Sequence, residues 1–547
     1  MSEKPNSSYH IRLPILLAAA LILGILIGAR FASPSTDSRY QASIQKFTQL
    51  LEFIENDYVD TVNTADLLET SIQEMLDRLD PHTVYIPPKD VALAQSQLKA
   101  TYDGIGIEFN LLRDTLYVVA PLPGGPSEKA GILAGDKIVA VDGENIAGIG
   151  LANTQVFDML RGPRGSKVTV AVFRNGQELM DIELTRGAIA QESIDASYMI
   201  NETLGYIKVN RFAEKTYDEF KAAIRELQSE GMNELILDLQ NNSGGYMSAA
   251  IGIADEFLSA GQLIVSQDGQ SSKYNSQAKA TDGGLYEEGA LMVLINEGSA
   301  SASEIVAGAL QDHDRALIVG RRSFGKGLVQ LPFNLNDGSE LRMTIARYYT
   351  PSGRSIQKPY SNGEESYSND YYNRYQTGEL FVADSIKYDE ELSYTTDKGR
   401  TVYGGGGIMP DYFVGLDTSS SSAYANRLVA SNTIREYTLD YRDAHQEWKD
   451  RPMEEFVKSF QVTDTMLADI IALGKKNGVR YQAKQFERSK ALIQLLVKAR
   501  IGREFYGDDL FYQLYNASNE IYTEAVSLFE RPERLKQQSN GVLLQEF

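Results

Sequence analysis

The spacing of apolar and polar residues separates the first part of the chain into three stretches. Residues 13–29 form an almost uninterrupted apolar run. Residues 39–90 show apolar positions at helical spacing, which ends at the prolines of "LDPHTVYIPP". Residues 100–186 alternate in short strand-like segments separated by Gly and Asp turns, with one helix near residues 152–161. This order predicts helices followed by a small β-rich domain.

The pattern of apolar and polar residues changes in the remainder of the chain. Residues 195–420 alternate strand-like and helical segments, which is typical of an α/β core. Inside that stretch, residues 358–400 are polar, rich in Tyr and without period, so we expect a loop insertion. Residues 427–547 return to helical spacing, and we expect them to pack on the body or on a second subunit. The predicted fold class is an α/β core with an inserted β-rich domain, N-terminal helices and a C-terminal helical region.

The apolar run at residues 13–29 is near the short limit for a membrane-spanning helix, which needs about 20 residues. Cleavage as a signal peptide is poorly supported, because Ile27 or Arg30 would occupy the position that should hold a small residue. We therefore favour an uncleaved anchor over a cleaved signal. The flanking charges mildly favour residues 1–12 in the cytoplasm and the body in a periplasm-like space. If the segment is cleaved, the body is soluble in that space.

Composition removes several classes of function. The formal net charge is −21 at pH 7, which argues against a nucleic-acid binder because phosphate contacts need clustered Lys and Arg. There is no cysteine, so disulfides, thiolate metal sites and cysteine nucleophiles are excluded. We expect no metal and no cofactor.

Ser299, Ser301 and Ser303 stand together in "INEGSASASEIVAGALQDH". The segment from Ser301 to Glu304 fits a capping box, in which a serine and a glutamate satisfy the backbone at a helix start. A serine placed there is also a candidate nucleophile, provided that a base is near. The local pattern leaves both interpretations open.

Histidine is a poor candidate for that base. His313 is twelve residues beyond Ser301 on one predicted helix, roughly 18 Å away at about 1.5 Å per residue. His10 precedes the apolar run, and His82 and His445 lie in flanking helical regions with no motif around them. The base should therefore be sought among lysines and carboxylates.

Lys326 in "RRSFGKGLVQLPF" is such a candidate, because the glycines on both sides allow another backbone to shield the amine and lower its pKa. Gln330 would lie on the same face of an extended strand and could orient the amine. The alternative is an exposed lysine in a Gly-rich turn. Ser323 and Lys326 also match the S-x-x-K motif of penicillin-binding enzymes, but the glycines argue against the required helix and the companion motifs are absent.

A predicted buried strand in "LILDLQNNSGGYMS" runs into Gly244 and Gly245. Such a turn exposes backbone N–H groups, which are the usual donors of an oxyanion hole. Glycine turns after strands are common, so this signal is weak by itself.

Together these segments resemble a known family. "DLQNNSGG", "INEGSASASEIVAGALQDHDRALIVGRRSFGKGLVQ", "ARYYTPSGRSIQ" and "GGGGIMPD" are similar to the signature blocks of the carboxyl-terminal processing peptidases, or tail-specific proteases. These are Ser-Lys serine proteases with a PDZ domain. The resemblance extends with gaps over residues 41–414, departs at residues 358–400 and does not cover residues 427–547. It implies a Clp-protease/crotonase-like α/β core.

The resemblance also implies the site residues. Ser301 corresponds to the nucleophile, Lys326 to the general base and Gln330 to the residue that positions the base. The oxyanion donors would be the N–H groups of Ala302 and Gly245, with Gly244 as the near competitor.

Residues 100–186 resemble a PDZ domain through "YDGIGIEF" and "GPSEKAGILAGDKIVAVDG". The first stretch is similar to the loop that receives a peptide's terminal carboxylate, and the alternative is an ordinary hairpin start. The implied peptide contacts are Gly104, Ile105, Gly106 and Ile107.

The sequence therefore predicts a membrane-anchored serine endopeptidase that recognises free, apolar C-termini of envelope proteins. The alternatives are a catalytically silent PDZ adaptor, and acyl transfer on cell-wall peptides through Ser323. The helices at the two ends make a homo-oligomer plausible. Arg161 and Arg164 in "LRGPRG" are candidates for coupling peptide binding to assembly of the site, against the alternative of a solvated turn.

Overall fold

The computed structural model describes residues 17–25, 38–112, 114–122, 124–133, 135–150, 153–174, 179–361 and 363–531. The chain divides into two compact units, residues 1–75 and 76–547. The first unit contains a helix at residues 17–25, the helix Ser38–Asp57 and nearly all of the helix Thr64–Leu76.

Only residues 17–25 of the predicted anchor are described; the rest of it, and residues 1–12, lie outside the described residues. No helix in the described part of the chain combines the length and the apolar character needed to cross a membrane.

The second unit is built on a six-stranded sheet. Its first two strands are antiparallel and the other neighbours are parallel. The aliphatic segments "ELILD", "ALMVLI" and "LIVG" form central strands because both faces of this sheet are covered. In order across the sheet, the strands are Ile194–Met199, Leu204–Val209, Glu234–Asp238, Ala290–Ile295, Leu317–Gly320 and Tyr412–Phe413.

Alternating strand residues bury the two faces of that sheet in separate cores. Leu237 and Val293 pack with the helices Thr216–Ser229, Met247–Asp255 and Ala302–Asp312 on one face. On the opposite face Ile236 and Leu294 pack against the helix Glu520–Glu530 near the end of the described chain. The C-terminal helices are thus part of the same packed body as the core.

A second, antiparallel sheet brings distant segments to the first. It contains the hairpin of Leu328–Asn334 and Glu340–Tyr349, and Val84–Ile86 pairs with the second of these strands. The strands Leu263–Asp268 and Ser276–Lys279 complete it. The pairing places the loop before Val84 beside the hairpin that follows Lys326.

The β-rich domain has its own core around Val118, Ile138 and Val170. Its strand Ile107–Leu112 lies at the edge of the larger sheet within this β-rich domain. Among the described strands it pairs only with Thr115–Pro121. Its other strands and helices are Thr101–Gly104, Pro126–Lys129, Lys137–Val141, Glu144–Asn145, Asn153–Leu160, Lys167–Phe173, Leu179–Thr185 and Gly187–Ala190. The helix Pro88–Lys99 leads into it.

The prediction of a loop at residues 358–400 was wrong. The segment forms the helices Glu364–Ser368 and Asp370–Thr377, and the strands Ser393–Thr395 and Thr401–Tyr403 pair at its end. Arg374, which is buried, donates to the backbone carbonyls of Arg322 and Ser323 at 3.0 and 2.9 Å. These hydrogen bonds hold the segment against the residues that precede Lys326. Polar side chains thus fix this segment to the core, and a regular spacing of apolar residues is not needed.

The C-terminal region is helical and has its own core around Leu428, Phe456 and Ile493. Before Glu520–Glu530 its α-helices are Ala423–Ala430, Thr433–Ala444, Met453–Ser459, Asp464–Lys476, Ala483–Tyr506 and Asp508–Tyr515. The predicted fold class is confirmed in its parts: an α/β core, an inserted β-rich domain, N-terminal helices and a C-terminal helical region.

Candidate active site

The structure separates the three adjacent serines. The Ser299 hydroxyl donates to the carbonyl of Leu239 and the Ser303 hydroxyl to the carbonyl of Asn242, both at 2.8 Å, and both side chains are fully buried. Ser301 is only partly buried and stands at the start of the helix Ala302–Asp312. Its φ of 55° and ψ of −110° are unusual for a residue with a side chain, and such strain is concentrated at functional sites. Ser301 is therefore the serine that the loop presents.

A buried carboxylate connects Ser301 with the segment that carries Lys326. Glu304 accepts from the N–H groups of Ser301 at 2.8 Å and Lys326 at 2.9 Å on one oxygen. Its other oxygen accepts from the Gly325 N–H at 2.7 Å and the Ser323 hydroxyl at 2.5 Å. Burial raises the pKa of Glu304 and these donors oppose the rise. Three of the four partners are backbone N–H groups, which can only donate and favour the ionised carboxylate, so we treat the group as the anion.

The amine of Lys326 is held by Gln330. Lys326 Nζ donates to Gln330 Oε1 at 2.9 Å, and the Gln330 amide in turn donates to the carbonyl of His82. Burial lowers the pKa of Lys326, while the carboxylates of Glu304 and Asp80 act in the opposite direction. Within the described residues no hydrogen bond joins the Lys326 amine to the Ser301 hydroxyl. The amine is thus desolvated and oriented, but not yet engaged with the serine.

The loop from Asp80 to Thr83 belongs to this site, and the sequence interpretation missed it. Asp80 accepts from the N–H groups of His82 and Thr83 at 2.8 and 2.9 Å and from the Thr83 hydroxyl at 2.6 Å. This turn aims the His82 carbonyl at Gln330. Burial, with the nearby positive charge of Lys326, lowers the pKa of His82 to about 4, so its ring is neutral at physiological pH.

Tyr367, from the segment predicted as a loop, closes the other side of His82. Its hydroxyl lies 2.7 Å from His82 Nε2, and the two rings meet edge to face. No spacing rule links residues 80–83 to Lys326, because strand pairing and not local periodicity brings them together. The only available signal was the short polar turn directly before a strand.

Two backbone amides near Ser301 lack an acceptor. In the part of the chain that the structure describes, neither the Ala302 N–H nor the Gly245 N–H donates a hydrogen bond. The Gly244 N–H, by contrast, donates to Asn242 Oδ1 at 2.9 Å. Gly245 has a φ of +144°, and a Cβ added there would lie 2.0 Å from the carbonyl oxygen of Phe212, so only glycine fits. Among the described residues, the Gly245 N–H is thus open to an acceptor, whereas the Gly244 N–H is occupied.

Ser323 is not available as a nucleophile in this structure. Its hydroxyl donates to Glu304 and accepts from the Ile408 N–H at 2.6 Å, and its side chain is fully buried. Residues 323–326 are not helical, so Ser323 and Lys326 are not on one helical turn as the S-x-x-K motif requires.

The predicted carboxylate loop of the β-rich domain joins two strands. Gly104 ends one strand and Ile107 begins the next, with Ile105 and Gly106 between them. Among the described residues, the N–H groups of Ile105 and Gly106 have no hydrogen-bond acceptor, and Gly106 has a φ of +74°. Ile105 and Ile107 bury their side chains in the domain core, so this loop offers a ligand its backbone.

The two candidate gating residues occupy different environments. The Arg161 guanidinium lies 4.8 Å from the ring centre of Tyr102 and 4.7 Å from that of Phe157. Its Nε is buried with no hydrogen-bond partner among the described residues. Arg164 forms an exposed ion pair with Asp103 at 3.1 Å. Arg161 is thus packed against two aromatic rings, whereas Arg164 is a surface charge.

Models of protein families match four parts of the chain. Residues 203–362 match peptidase family S41, residues 117–174 match the PDZ domain, and residues 29–89 match the N-terminal domain of the activating protease CtpB. Residues 424–507 match a family of unknown function. The recognised domains therefore cover the N-terminal helices, the β-rich domain and the α/β core.

The chain is similar over more than half of its length to several known proteins. The carboxy-terminal-processing protease of Bartonella bacilliformis is 37% identical over 354 residues, covering 63% of this chain and 80% of that protein. CtpB of Bacillus subtilis, a carboxy-terminal processing protease, is 33% identical over 334 residues, covering 60% and 68%. A solved photosystem II D1 C-terminal processing protease is 32% identical, covering 56% of this chain and 83% of that chain at a TM-score of 0.32. The chain belongs to the carboxy-terminal-processing proteases of peptidase family S41.

Proposed function

We propose that this protein is a serine endopeptidase in which Ser301 is the nucleophile and Lys326 the general base. The observation that carries the proposal is the Glu304 carboxylate, which binds the backbone N–H groups of both residues. It fixes the nucleophile and the base on one rigid support, as catalysis by positioning requires. The proposed boundaries are residues 39–90 for the N-terminal helices, 100–186 for the PDZ domain, 195–420 for the protease core and 427–547 for the C-terminal region.

In the proposed reaction, substrate binding turns the neutral Lys326 amine from Gln330 toward Ser301, since catalytic hydrogen bonds often tighten only in the substrate complex. The Ser301 oxygen attacks the substrate carbonyl and its proton passes to Lys326. The Ala302 and Gly245 N–H groups stabilise the oxyanion. The Lys326 ammonium then protonates the leaving amine, and an acyl-enzyme forms. Water, deprotonated by Lys326, hydrolyses the ester and frees Ser301.

Gln330 is the proposed positioning residue for the base. Its Oε1 accepts a hydrogen bond from Lys326 Nζ, and its amide donates to the His82 carbonyl, so the amine has one preferred orientation. No cofactor or metal enters the scheme.

The proposed substrates are proteins with a free, apolar C-terminus. Among the described residues, the N–H groups of Ile105 and Gly106 have no acceptor, which suits them to a terminal carboxylate. On one side the strand Ile107–Leu112 has no partner among the described strands, so a peptide can pair there as an added strand. Amidating the C-terminus of a peptide substrate should weaken its processing. Equal cleavage of the amidated and the free peptide would argue against this mode.

The proposed location is the inner membrane, with residues 13–29 as a single anchor and the catalytic body in the periplasm, acting on envelope proteins. A homo-oligomer through the terminal helices is part of this proposal. Fractionation of cells should find the chain in membranes after an alkaline wash. Recovery of the protein in the soluble periplasmic fraction, shortened at its N-terminus, would favour cleavage of the segment.

We further propose that Arg161 or Arg164 couples peptide binding to the active site. Arg161 contacts Phe157, on the helix beside the edge strand, so a bound peptide would change its surroundings. Alanine substitutions should change turnover or peptide affinity. If both quantities stay unchanged, the coupling is absent and these residues are surface charge.

The decisive cellular experiment compares the C-termini of envelope proteins in cells that carry the wild-type chain or Ser301→Ala. Proteolysis by Ser301 predicts longer C-termini on a defined set of proteins in the variant. A PDZ adaptor predicts identical C-termini in the two strains.

A further inference from the structure

A cavity of about 560 Å³ lies between the α/β core and the C-terminal helices. The core contributes Lys208, Asp238, Gln240 and Asn241 to its lining. Ser301, Lys326 and Gln330 are not among the described residues that line it, so it is separate from the proposed active site. Its volume is within the range of roughly 300–1,000 Å³ that is usual for small-molecule sites.

One helix turns a single face toward this cavity. Leu492, Leu496 and Arg500 of the helix Ala483–Tyr506 all line it, and their spacing of four residues places them one above another. The face therefore ends in a guanidinium after two aliphatic side chains.

The guanidinium of Arg500 has no partner. Among the described residues it makes no hydrogen bond and no ion pair, although it is half-buried. The neighbouring arginines are all paired: Arg435 with Glu108 at 2.6 Å, Arg442 with Glu504 at 3.1 Å, and Arg503 with Asp508. Burial, and repulsion from Arg435 and Arg503, lower the pKa of Arg500, while the charges of Glu504 and Tyr515 oppose that shift. Among the described residues, no nitrogen of Arg500 is a fully buried atom without a hydrogen bond, so the guanidinium stays open to solvent or to a ligand.

The other charges of the lining compensate each other. Lys208 Nζ lies 3.5 Å from Asp238, and Asp238 also accepts from the Tyr206 hydroxyl at 2.7 Å. Among the described residues that line the cavity, Arg500 is therefore the charged residue without an ion pair. A matching ligand carries one negative charge.

The rest of the lining restricts the ligand further. Val429, Ile434, Leu492 and Leu496 contribute aliphatic residues to the lining, and Asn426 contributes an amide. Asn241 also lines the cavity, but its Oδ1 accepts from Asn296 Nδ2 at 3.0 Å. Aliphatic walls favour an apolar group, and primary amides can both donate to and accept from another amide.

We propose that this cavity binds a small organic monocarboxylate that also carries an amide and an apolar side group, with Arg500 holding the carboxylate. This is the chemistry shared by a free N-acylated amino acid and by the C-terminal end of a short peptide. The inference does not depend on the proposed protease mechanism, because Ser301, Lys326 and Gln330 are not among the residues described as lining the cavity.

Isothermal titration calorimetry of the full chain with N-acetylphenylalanine tests the proposal. This probe has no bond between two amino acids for a peptidase to cleave. We expect one equivalent to bind, with at least tenfold weaker binding of its primary amide, of acetate and of inorganic phosphate. Equal binding of the amide would overturn the role of the carboxylate, and equal binding of acetate or phosphate would overturn the assigned ligand class.

Two variants locate the binding. Arg500→Gln should weaken the binding of N-acetylphenylalanine at least tenfold. Lys490→Gln, which removes a positive charge from an exposed, Asp464-paired position on the same helix, should leave it unchanged. Affinity that persists in Arg500→Gln belongs to another site, the PDZ domain included, and would overturn the proposal.

A last arm separates the two sources of this chemistry. Ser301→Ala is combined with Arg500 or with Arg500→Gln, and both proteins are titrated with N-acetylphenylalanine and with N-acetyl-alanyl-phenylalanine. The affinity that Arg500→Gln removes is then compared between the two ligands. Tighter binding of the extended compound assigns a peptide end, and weaker binding assigns a free N-acylated amino acid.

Thermal unfolding without ligand supplies an independent check. Removing an unpaired, half-buried charge should leave the melting temperature of Arg500→Gln unchanged or raise it. A clear fall in melting temperature would mean that Arg500 has a structural partner, and the proposal would be withdrawn.

Discussion

Glu304 beside the candidate nucleophile and Arg500 in the C-terminal region are both charged side chains removed from bulk water. Glu304 is fully buried and accepts four hydrogen bonds, whereas Arg500 is half-buried and has no partner among the described residues. The fold supplies hydrogen-bond donors for the first group and no partner among the described residues for the second. A charge whose hydrogen bonds are satisfied holds its neighbours in place, whereas a charge without a partner points to a ligand from outside.

The same contrast recurs over two consecutive amides. The Gly244 N–H is satisfied by Asn242, and the Gly245 N–H has no acceptor in the described structure. The satisfied amide holds the turn, and the other has no acceptor among the described residues, which is what the proposed oxyanion role requires. Counting hydrogen-bond partners thus separates two adjacent glycines that sequence spacing does not.

The largest effect is expected for Ser301, which is partly exposed while Ser299 and Ser303 are fully buried. Ser301→Ala should lower kcat by about a thousandfold or more, since the nucleophile is lost. Ser299→Ala and Ser303→Ala each lose a buried hydrogen bond worth about 1–3 kcal/mol of stability, but should keep most of the activity. Peptide cleavage and urea unfolding of the three variants measure both quantities. Wild-type turnover in Ser301→Ala would rule out its role.

Glu304→Gln tests the role of the hydrogen-bonded Glu304 carboxylate. An amide cannot accept from four donors, and its NH2 group would face N–H groups, so we expect roughly 3 kcal/mol or more of lost stability and a large fall in activity. Urea unfolding of Glu304→Gln beside Arg500→Gln gives the comparison directly. If the two variants lose similar stability, the distinction between a charge whose hydrogen bonds are satisfied and a charge without a partner does not hold.

Gln330 should affect the base and not the binding of substrate. Gln330→Ala should lower kcat about tenfold to a hundredfold with little change in KM. Gln330→Glu would place a negative charge beside the Lys326 amine, which favours the ammonium and raises its pKa. Its pH–rate profile should therefore shift to higher pH. An unshifted profile in an active Gln330→Glu protein would separate Gln330 from the base.

The smallest effect concerns stability in acid. The folded pKa of His82 is about 4, below the ordinary value of 6.5, so the unfolded chain binds more protons between these two values. This contribution to stability is complete above pH 6.5 and is lost as the pH falls towards 4. His82→Gln should remove about 1–2 kcal/mol of the acid destabilisation, after allowance for partial exposure. The measurement is urea unfolding at pH 4.5 and 7; a difference between the proteins that does not change with pH would contradict the assignment.

Features that depend on local spacing could be predicted from the sequence. The strands of the core sheet, the PDZ-like domain and the serine block are set by periodicity, glycine turns and capping residues within a few positions. The capping role of Glu304 was visible in this way. Its contacts with Ser323, Gly325 and Lys326 were not, because those residues are about twenty positions away.

Features that depend on strand pairing or on polar packing could not be predicted. Lys326 lies before the strand, and a β-bulge between Val329 and Gln330 changes the register, so simple alternation does not explain why their side chains meet. His82 reaches the site through the pairing of Val84–Ile86 with the far strand of the hairpin. The cavity near Arg500 exists only once the C-terminal helices are packed on the core.

The central claim is that Lys326 activates Ser301, and fluorophosphonate labelling measures it most directly. The account predicts one labelled residue, Ser301, by peptide mapping of the full chain. The labelling rate should rise with pH as Lys326 loses its proton, and it should be nearly abolished in folded Lys326→Ala and Lys326→Arg, because a guanidinium stays protonated. Labelling of another serine, or an undiminished rate at Ser301 in folded Lys326→Ala, would contradict it.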